Sequence, residues 1–153
     1  MSRHLIAALF AAVLSAGCFE AFNSTPTNPD PSISFLGGRW ESTTANSTAL
    51  LSSCTNFSWT VTQSTSGSVV GSGQFSALCF GVLQITGNAE MTQGASGLNW
   101  TANGVANGGG ISDCAIALTG TATLSGDEMS INYSGTTCQG PVSPGTEKLR
   151  LKS

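Results

Sequence analysis

Residues 114–133 read CAIALTGTATLSGDEMSINY, and this stretch decides the fold because it contains two alternating segments separated by one turn. From Ile116 onward apolar residues alternate with threonines, and from Met129 onward they alternate with Ser and Asn. A period of two is typical of a β-strand with one buried and one solvated face. The SGD at 125–127 has the composition of a tight turn, so the stretch predicts a β-hairpin.

The same alternation continues across residues 37–153, with no segment of helical period, and it predicts eight strands. The predicted strands cover residues 39–45, 57–63, 69–77, 82–91, 98–105, 114–124, 129–135 and 148–152. Eight strands in sequence favour an all-β fold, an eight-stranded antiparallel up-and-down β-barrel, because closing the sheet removes its unpaired edges. A β-sandwich is the alternative.

Composition argues against several classes of function. Charged residues make up 8% of the chain and the formal net charge is −3, whereas nucleic-acid binding requires a positive surface. The single histidine, His4, lies in the N-terminal apolar segment, so the domain lacks the commonest general base and metal ligand. The sequence contains neither G-x-S-x-G nor S-x-x-K. We therefore predict a protein that is not an enzyme and has no nucleic-acid partner, metal or cofactor.

The N-terminus MSRHLIAALFAAVLSAGC has the organisation of an export signal. Arg3 supplies the positive charge, and the apolar run Leu5–Leu14 is too short for a membrane span, which needs about 20 residues. Small residues follow at 15–17, directly before Cys18. We predict that residues 1–17 form a signal peptide and that the mature chain is secreted across the membrane.

The SAGC at 15–18 resembles the lipobox of bacterial lipoproteins, which ends in a small residue followed by a cysteine. The resemblance implies that Cys18 is acylated, becomes the first mature residue and anchors the chain in the bacterial cell envelope. Because Phe19 replaces the Asp that often signals inner-membrane retention in that family, the resemblance favours the outer membrane. The alternative is an ordinary signal cleavage near Ala16 that leaves a free thiol at Cys18.

Residues 18–36 contain three prolines and small polar residues without strand-like alternation. This composition predicts an extended lipidated tether that lifts the domain off the membrane. The predicted organisation is therefore a signal peptide at 1–17, a tether at 18–36 and a β-barrel domain at 37–153.

Four cysteines follow Cys18, and an even number in an exported chain predicts disulfides. Strands that pair about the turn at 64–67 bring Cys54 close to Cys79, and residue 126 in the next candidate turn is the midpoint of Cys114 and Cys138. We predict the bonds Cys54–Cys79 and Cys114–Cys138. The alternatives are four free structural cysteines or a zinc site, and zinc is disfavoured because the sequence contains no C-x-x-C pair.

Gly38-Arg39-Trp40 opens the first strand and is similar to the G-x-W motif of the lipocalins; more loosely, the chain resembles avidin-type barrels. The lipocalin resemblance implies that Trp40 plugs the closed end of the barrel. It also implies that a basic residue near the C-terminus, Arg150 or alternatively Lys152, packs over the indole. The other interpretation of Trp40 is an ordinary core residue.

If the first strand begins at the closed end, the turns at 64–67, 92–97 and 125–127 lie there too. The opposite end, here called the mouth, then contains the segments 46–55, 77–81, 106–113 and 138–145 and both predicted disulfides. The interior near the mouth would contain Phe57, Phe75 and Ile116, with Trp59 deeper.

These interior residues suit either a site for a small apolar or amphipathic ligand or a filled core. We therefore retain two functional hypotheses. One is a non-catalytic lipoprotein that binds such a ligand inside its barrel. The other is a lipoprotein with a solid core that acts through its surface on a protein partner or as a structural module.

Overall fold

The computed structural model describes residues 36–43, 53–65 and 67–153, and these form a closed barrel of eight antiparallel strands. Each strand pairs with the next along the chain, and the first pairs with the last, which confirms the up-and-down barrel. The strands are β1 (Gly38–Ser42), β2 (Cys54–Gln63), β3 (Val69–Cys79), β4 (Leu83–Gly94), β5 (Gly97–Gly108), β6 (Ile111–Ser125), β7 (Glu128–Thr137) and β8 (Gly140–Lys152). In the described part of the chain, no helix is long and apolar enough to cross a membrane.

The two ends of the barrel are arranged as the sequence predicts. β1 begins at the closed end, and the connections β2–β3, β4–β5 and β6–β7 lie there, while β3–β4, β5–β6 and β7–β8 connect at the mouth. The predicted loop 106–113 is shorter in the structure, because β5 and β6 are joined by only Gly109 and Gly110. Both have positive φ (57° and 83°), as a tight hairpin turn that follows the strand twist requires.

The predicted alternation also determines which side chains fill the barrel. In β6, for example, Cys114, Ile116 and Leu118 are buried while Ala115, Ala117 and Thr119 are exposed. All three tryptophans lie in the core and are at most 1% exposed. The barrel is therefore closed around a largely apolar interior, and most polar side chains of the described residues face outward; Glu147, which is 8% exposed, is buried.

Five glycines allow neighbouring strands to approach closely in this narrow barrel. A Cβ added at any of them would overlap a carbonyl oxygen of the adjacent strand; they are Gly73, Gly87, Gly104, Gly120 and Gly135. Glycine within a strand commonly marks such a bend or close backbone approach. The glycine content thus follows from the strand coiling that a small barrel needs.

The prediction of a loop at 138–145 is wrong for most of its length. β8 already begins at Gly140 and contains Pro141 and Pro144. Proline has no N–H to donate and is tolerated at strand edges and bulges. The β7–β8 register shifts next to Pro144, and the pairing of β8 with β1 covers only Leu149–Lys152. Both prolines therefore lie where a missing N–H removes no bond to β1.

Candidate functional site

The four residues predicted to bind a ligand, Phe57, Trp59, Phe75 and Ile116, all lie in the barrel interior and belong to one apolar cluster. Phe57 and Trp59 are 1% exposed, and Phe75 and Ile116 are 3% exposed. The ring centroids of Trp59 and Trp100 are 5.0 Å apart with an edge-to-face arrangement. Side chains so completely covered by their neighbours form a packed core and not the wall of an open cavity.

Tyr133 extends from β7 across the interior to the mouth end of β2, a role that sequence reasoning missed. Its hydroxyl donates to the carbonyl oxygen of Cys54 and accepts a hydrogen bond from the Cys54 N–H at 3.2 Å. Among the described residues, the pairing of β1 with β2 ends at Ser58, so the phenol satisfies backbone groups of Cys54 beyond this ladder. Burial raises the pKa of Tyr133, and the nearby Glu147 carboxylate raises it further.

A second missed contact joins β5, β6 and β7. The Nε1–H of Trp100 lies between the carbonyl oxygens of Thr121 (3.3 Å) and Asn132 (3.2 Å), which belong to neighbouring strands. The Asn132 amide in turn accepts from the Thr121 N–H and donates to the Thr121 hydroxyl, both at 2.7 Å. The side chains thus bridge a break in the β6–β7 ladder, and alternation alone gives no signal for such a bridge.

The closed end differs from the predicted arrangement. Trp40 is fully buried, and its Nε1–H donates to the carbonyl of Leu36 at 2.9 Å. Leu36 is also fully buried, so it belongs to the barrel core and not to the tether. Arg150 does not pack over Trp40, because Leu151 is the residue opposite Trp40 and alternation directs Arg150 outward.

Arg150 instead forms an ion pair with Asp127 at 3.5 Å, and the alternative residue, Lys152, pairs with Glu41 at 3.5 Å. Both basic side chains are more than half exposed. The closed end is therefore filled by Leu36 and Trp40 without a covering cation.

The mouth contains both predicted disulfides, Cys54–Cys79 and Cys114–Cys138, with sequence separations of 25 and 24 residues. Cys54 and Cys79 lie directly opposite each other in the β2–β3 ladder and are at most 1% exposed. Cys138, by contrast, is exposed beside the β7–β8 turn. The N-terminal sites, Cys18 with the signal peptide and the tether up to residue 35, lie outside the described residues.

Charge is unevenly distributed over the outer face. All four Lys and Arg residues of the described chain lie on β1 or β8, and each has an acidic partner within 4 Å. The five strands β2 to β6 contain two charged residues, Glu90 and Asp113. Their outward positions otherwise carry mainly Ser, Thr, Asn and Gln.

A depression of about 460 Å³ lies on the outer face of β1–β4, next to this sparsely charged region. Gly87, Phe75 and, from β1, Arg39 line it. We call this site the polar depression. The six hydroxyl or amide side chains in its walls are Ser58, Thr60, Gln74, Ser76, Thr86 and Asn88. Each residue is polar in the sequence, but only the hairpin register, which sets Thr60 beside Gln74 and Gln74 beside Asn88, shows that they meet.

No protein-family model, curated protein or solved structure matches this chain. No group of three or more His, Cys, Asp or Glu side chains in the described ranges could hold a metal ion. The class of this protein is therefore defined by its fold, which is a closed eight-stranded up-and-down β-barrel. The features considered for function are its interior, its mouth and its outer face, on which the polar depression and two further depressions of about 450 and 460 Å³ on β6–β8 lie.

Proposed function

We propose that this protein is a non-catalytic interaction module of the bacterial cell envelope that is anchored through a lipid on Cys18 and acts through its outer surface. The observation that carries the proposal is the filled interior. Phe57, Trp59, Phe75 and Ile116 are at most 3% exposed, and an internal ligand would have to displace these packed side chains. Overfilling a well-packed core typically costs about 1–3 kcal/mol, which opposes the internal-ligand hypothesis.

The cysteine pairing supports the anchor. The chain has five cysteines, and four of them form the two disulfides of the barrel. The fifth, Cys18, follows an apolar export segment and three small residues, as in a lipobox. Acylation of Cys18 accounts for a cysteine that would otherwise be a single thiol in an oxidising compartment.

Mass spectrometry of the chain purified from bacterial membranes tests both parts of the proposal. Under denaturing conditions we expect the mass of residues 18–153 with two disulfides and a covalent acylglyceryl group on Cys18. Under native conditions we expect no further molecule beyond bound detergent. An unmodified Cys18 would overturn the anchor, and a stoichiometric apolar molecule released by unfolding would favour the internal-ligand hypothesis instead.

A further inference from the structure

The polar depression has unused hydrogen-bonding capacity. None of its six side chains forms a hydrogen bond within the described part of the chain. Hydroxyl groups both donate and accept, and the Gln74 and Asn88 amides each offer two N–H donors and a carbonyl acceptor. These groups are half-buried or exposed and converge on one concave volume, so a ligand can engage several of them together.

The charges around the depression disfavour an ionic ligand. Its one basic neighbour is Arg39, whose guanidinium already contacts the Glu41 carboxylate at 2.6 Å. The depression contains no carboxylate that would attract a cation. An anionic ligand would therefore have to compete with Glu41 for a single, 63% exposed guanidinium.

The depression also lacks the features of a protein interface core. Such cores are enriched in aromatic, Met and Arg side chains, which bury apolar area and anchor the partner. The one aromatic residue here, Phe75, is 3% exposed and offers almost no surface. A partner in this depression must therefore be bound mainly by neutral hydrogen bonds.

From these observations we infer that the polar depression binds an uncharged saccharide chain. Saccharide hydroxyls donate and accept as the wall side chains do, and neutrality matches a site whose only charged lining residue, Arg39, is already paired with Glu41. The volume of about 460 Å³ lies within the usual range for small-molecule sites, about 300–1,000 Å³. The inference rests on the proposed function, since it names the class of partner for the surface-acting module.

Asn103 extends the site along the sheet. It is directly opposite Asn88 in the β4–β5 ladder, so Thr60, Gln74, Asn88 and Asn103 form one row across four neighbouring strands. Adjacent strands lie about 4.8 Å apart, so this row spans roughly 14 Å. A row of that length favours an oligosaccharide over a single sugar.

The test is a titration of the ¹⁵N-labelled full chain in micelles of a detergent without a sugar headgroup. The neutral probes are maltohexaose and chitotriose, and the charged probe is an oligogalacturonate. We expect saturable amide shifts on β2–β4 with one neutral probe, with half-saturation in the millimolar range because no aromatic face stacks on the sugar. The double variant Gln74→Ala/Asn88→Ala should weaken binding at least tenfold, and Asn99→Ala, an exposed amide on β5 outside the depression, should leave it unchanged.

Several results would overturn the inference. The first is that neither neutral probe causes saturable amide shifts. The second is that the charged probe binds more tightly than the neutral probes. The third is that the double variant binds as well as the unsubstituted protein. Both substituted side chains are exposed, and an unchanged near-ultraviolet circular dichroism spectrum will verify folding. A negative titration leaves the anchor and the filled interior in place, whereas an unmodified Cys18 or a lipid inside the barrel refutes the proposed function independently.

Discussion

Replacement of Tyr133 by Phe tests whether one hydroxyl supports the mouth half of the barrel. The change removes the donor to the Cys54 carbonyl and the acceptor of the Cys54 N–H while keeping the ring that contacts Phe57 at a centroid distance of 5.0 Å. Cys54 is 1% exposed, so both backbone groups lose their partner in a buried place. Each such group costs about 1–3 kcal/mol, and we expect the free energy of unfolding to fall by about 2–6 kcal/mol.

Urea denaturation followed by tryptophan fluorescence measures this loss, because all three tryptophans lie in the core. With a typical slope of about 2 kcal/mol per M, the midpoint should fall by about 1–3 M. The control is Thr101→Val, which removes an exposed hydroxyl and should change stability by less than about 0.5 kcal/mol. A midpoint for Tyr133→Phe that coincides with the control would refute the reasoning.

The same residue predicts a dependence of stability on alkaline pH. Because burial raises the pKa of Tyr133 in the folded state, the unfolded phenol ionises first, near pH 10. Stability is thus fully retained below that pH and is lost as pH rises toward the folded-state pKa. Tyr133 is the only tyrosine, so phenolate absorbance reports it directly, and this part of the alkaline loss should disappear in Tyr133→Phe.

Three further predictions concern the covalent and steric constraints of the barrel. Replacing both members of Cys114–Cys138 by Ser should lower the free energy of unfolding by about 3.5 kcal/mol in the chain-entropy model, and an unchanged urea midpoint would contradict this. Mild reductant followed by alkylation and mass spectrometry should open Cys114–Cys138 before the buried Cys54–Cys79, and the reverse order would show that exposure does not control access. Gly87→Ala places a Cβ against the Asn103 carbonyl and should cost at least about 1 kcal/mol, whereas Gly37→Ala, whose nearest contact is 3.6 Å, should be nearly neutral.

The strands and disulfides were predictable because they depend on local periodicity and on hairpin symmetry. Alternation around Ile116 and Met129 identifies a hairpin, and counting outward from its turn pairs Cys114 with Cys138. Features that depend on relations between distant strands were not predictable in this way. In the described residues the β1 ladders stop at Ser58 and Leu149, which is compatible with Pro141 in β8 and with the hydrogen bonds from Tyr133 to Cys54, and nothing in the local pattern specifies where these ladders stop.

The candidate site shows the same difference between features set by the local pattern and features set by contacts between distant strands. The apolar residues near the mouth were correctly placed inside, but whether they line a void depends on how all eight strands pack together. The Arg150 prediction came from a family resemblance, whereas strand alternation directs this residue outward. The polar depression was missed because Thr60, Gln74 and Asn88 are far apart in sequence and meet only through two ladders.

The short β1 has a consequence for local opening of the barrel. Within the described residues, the five residues of β1 join β2 and β8 through ladders in the closed half, whereas β2 and β8 themselves extend for 10 and 13 residues. Local opening follows the weakest cooperative unit of a fold, so amide protons of β2 near Cys54 and of β8 near Val142 should exchange with solvent sooner than those beside Trp40. The tryptophan-filled half would then be the slow-exchanging unit, and the disulfide-bonded half would fluctuate about it.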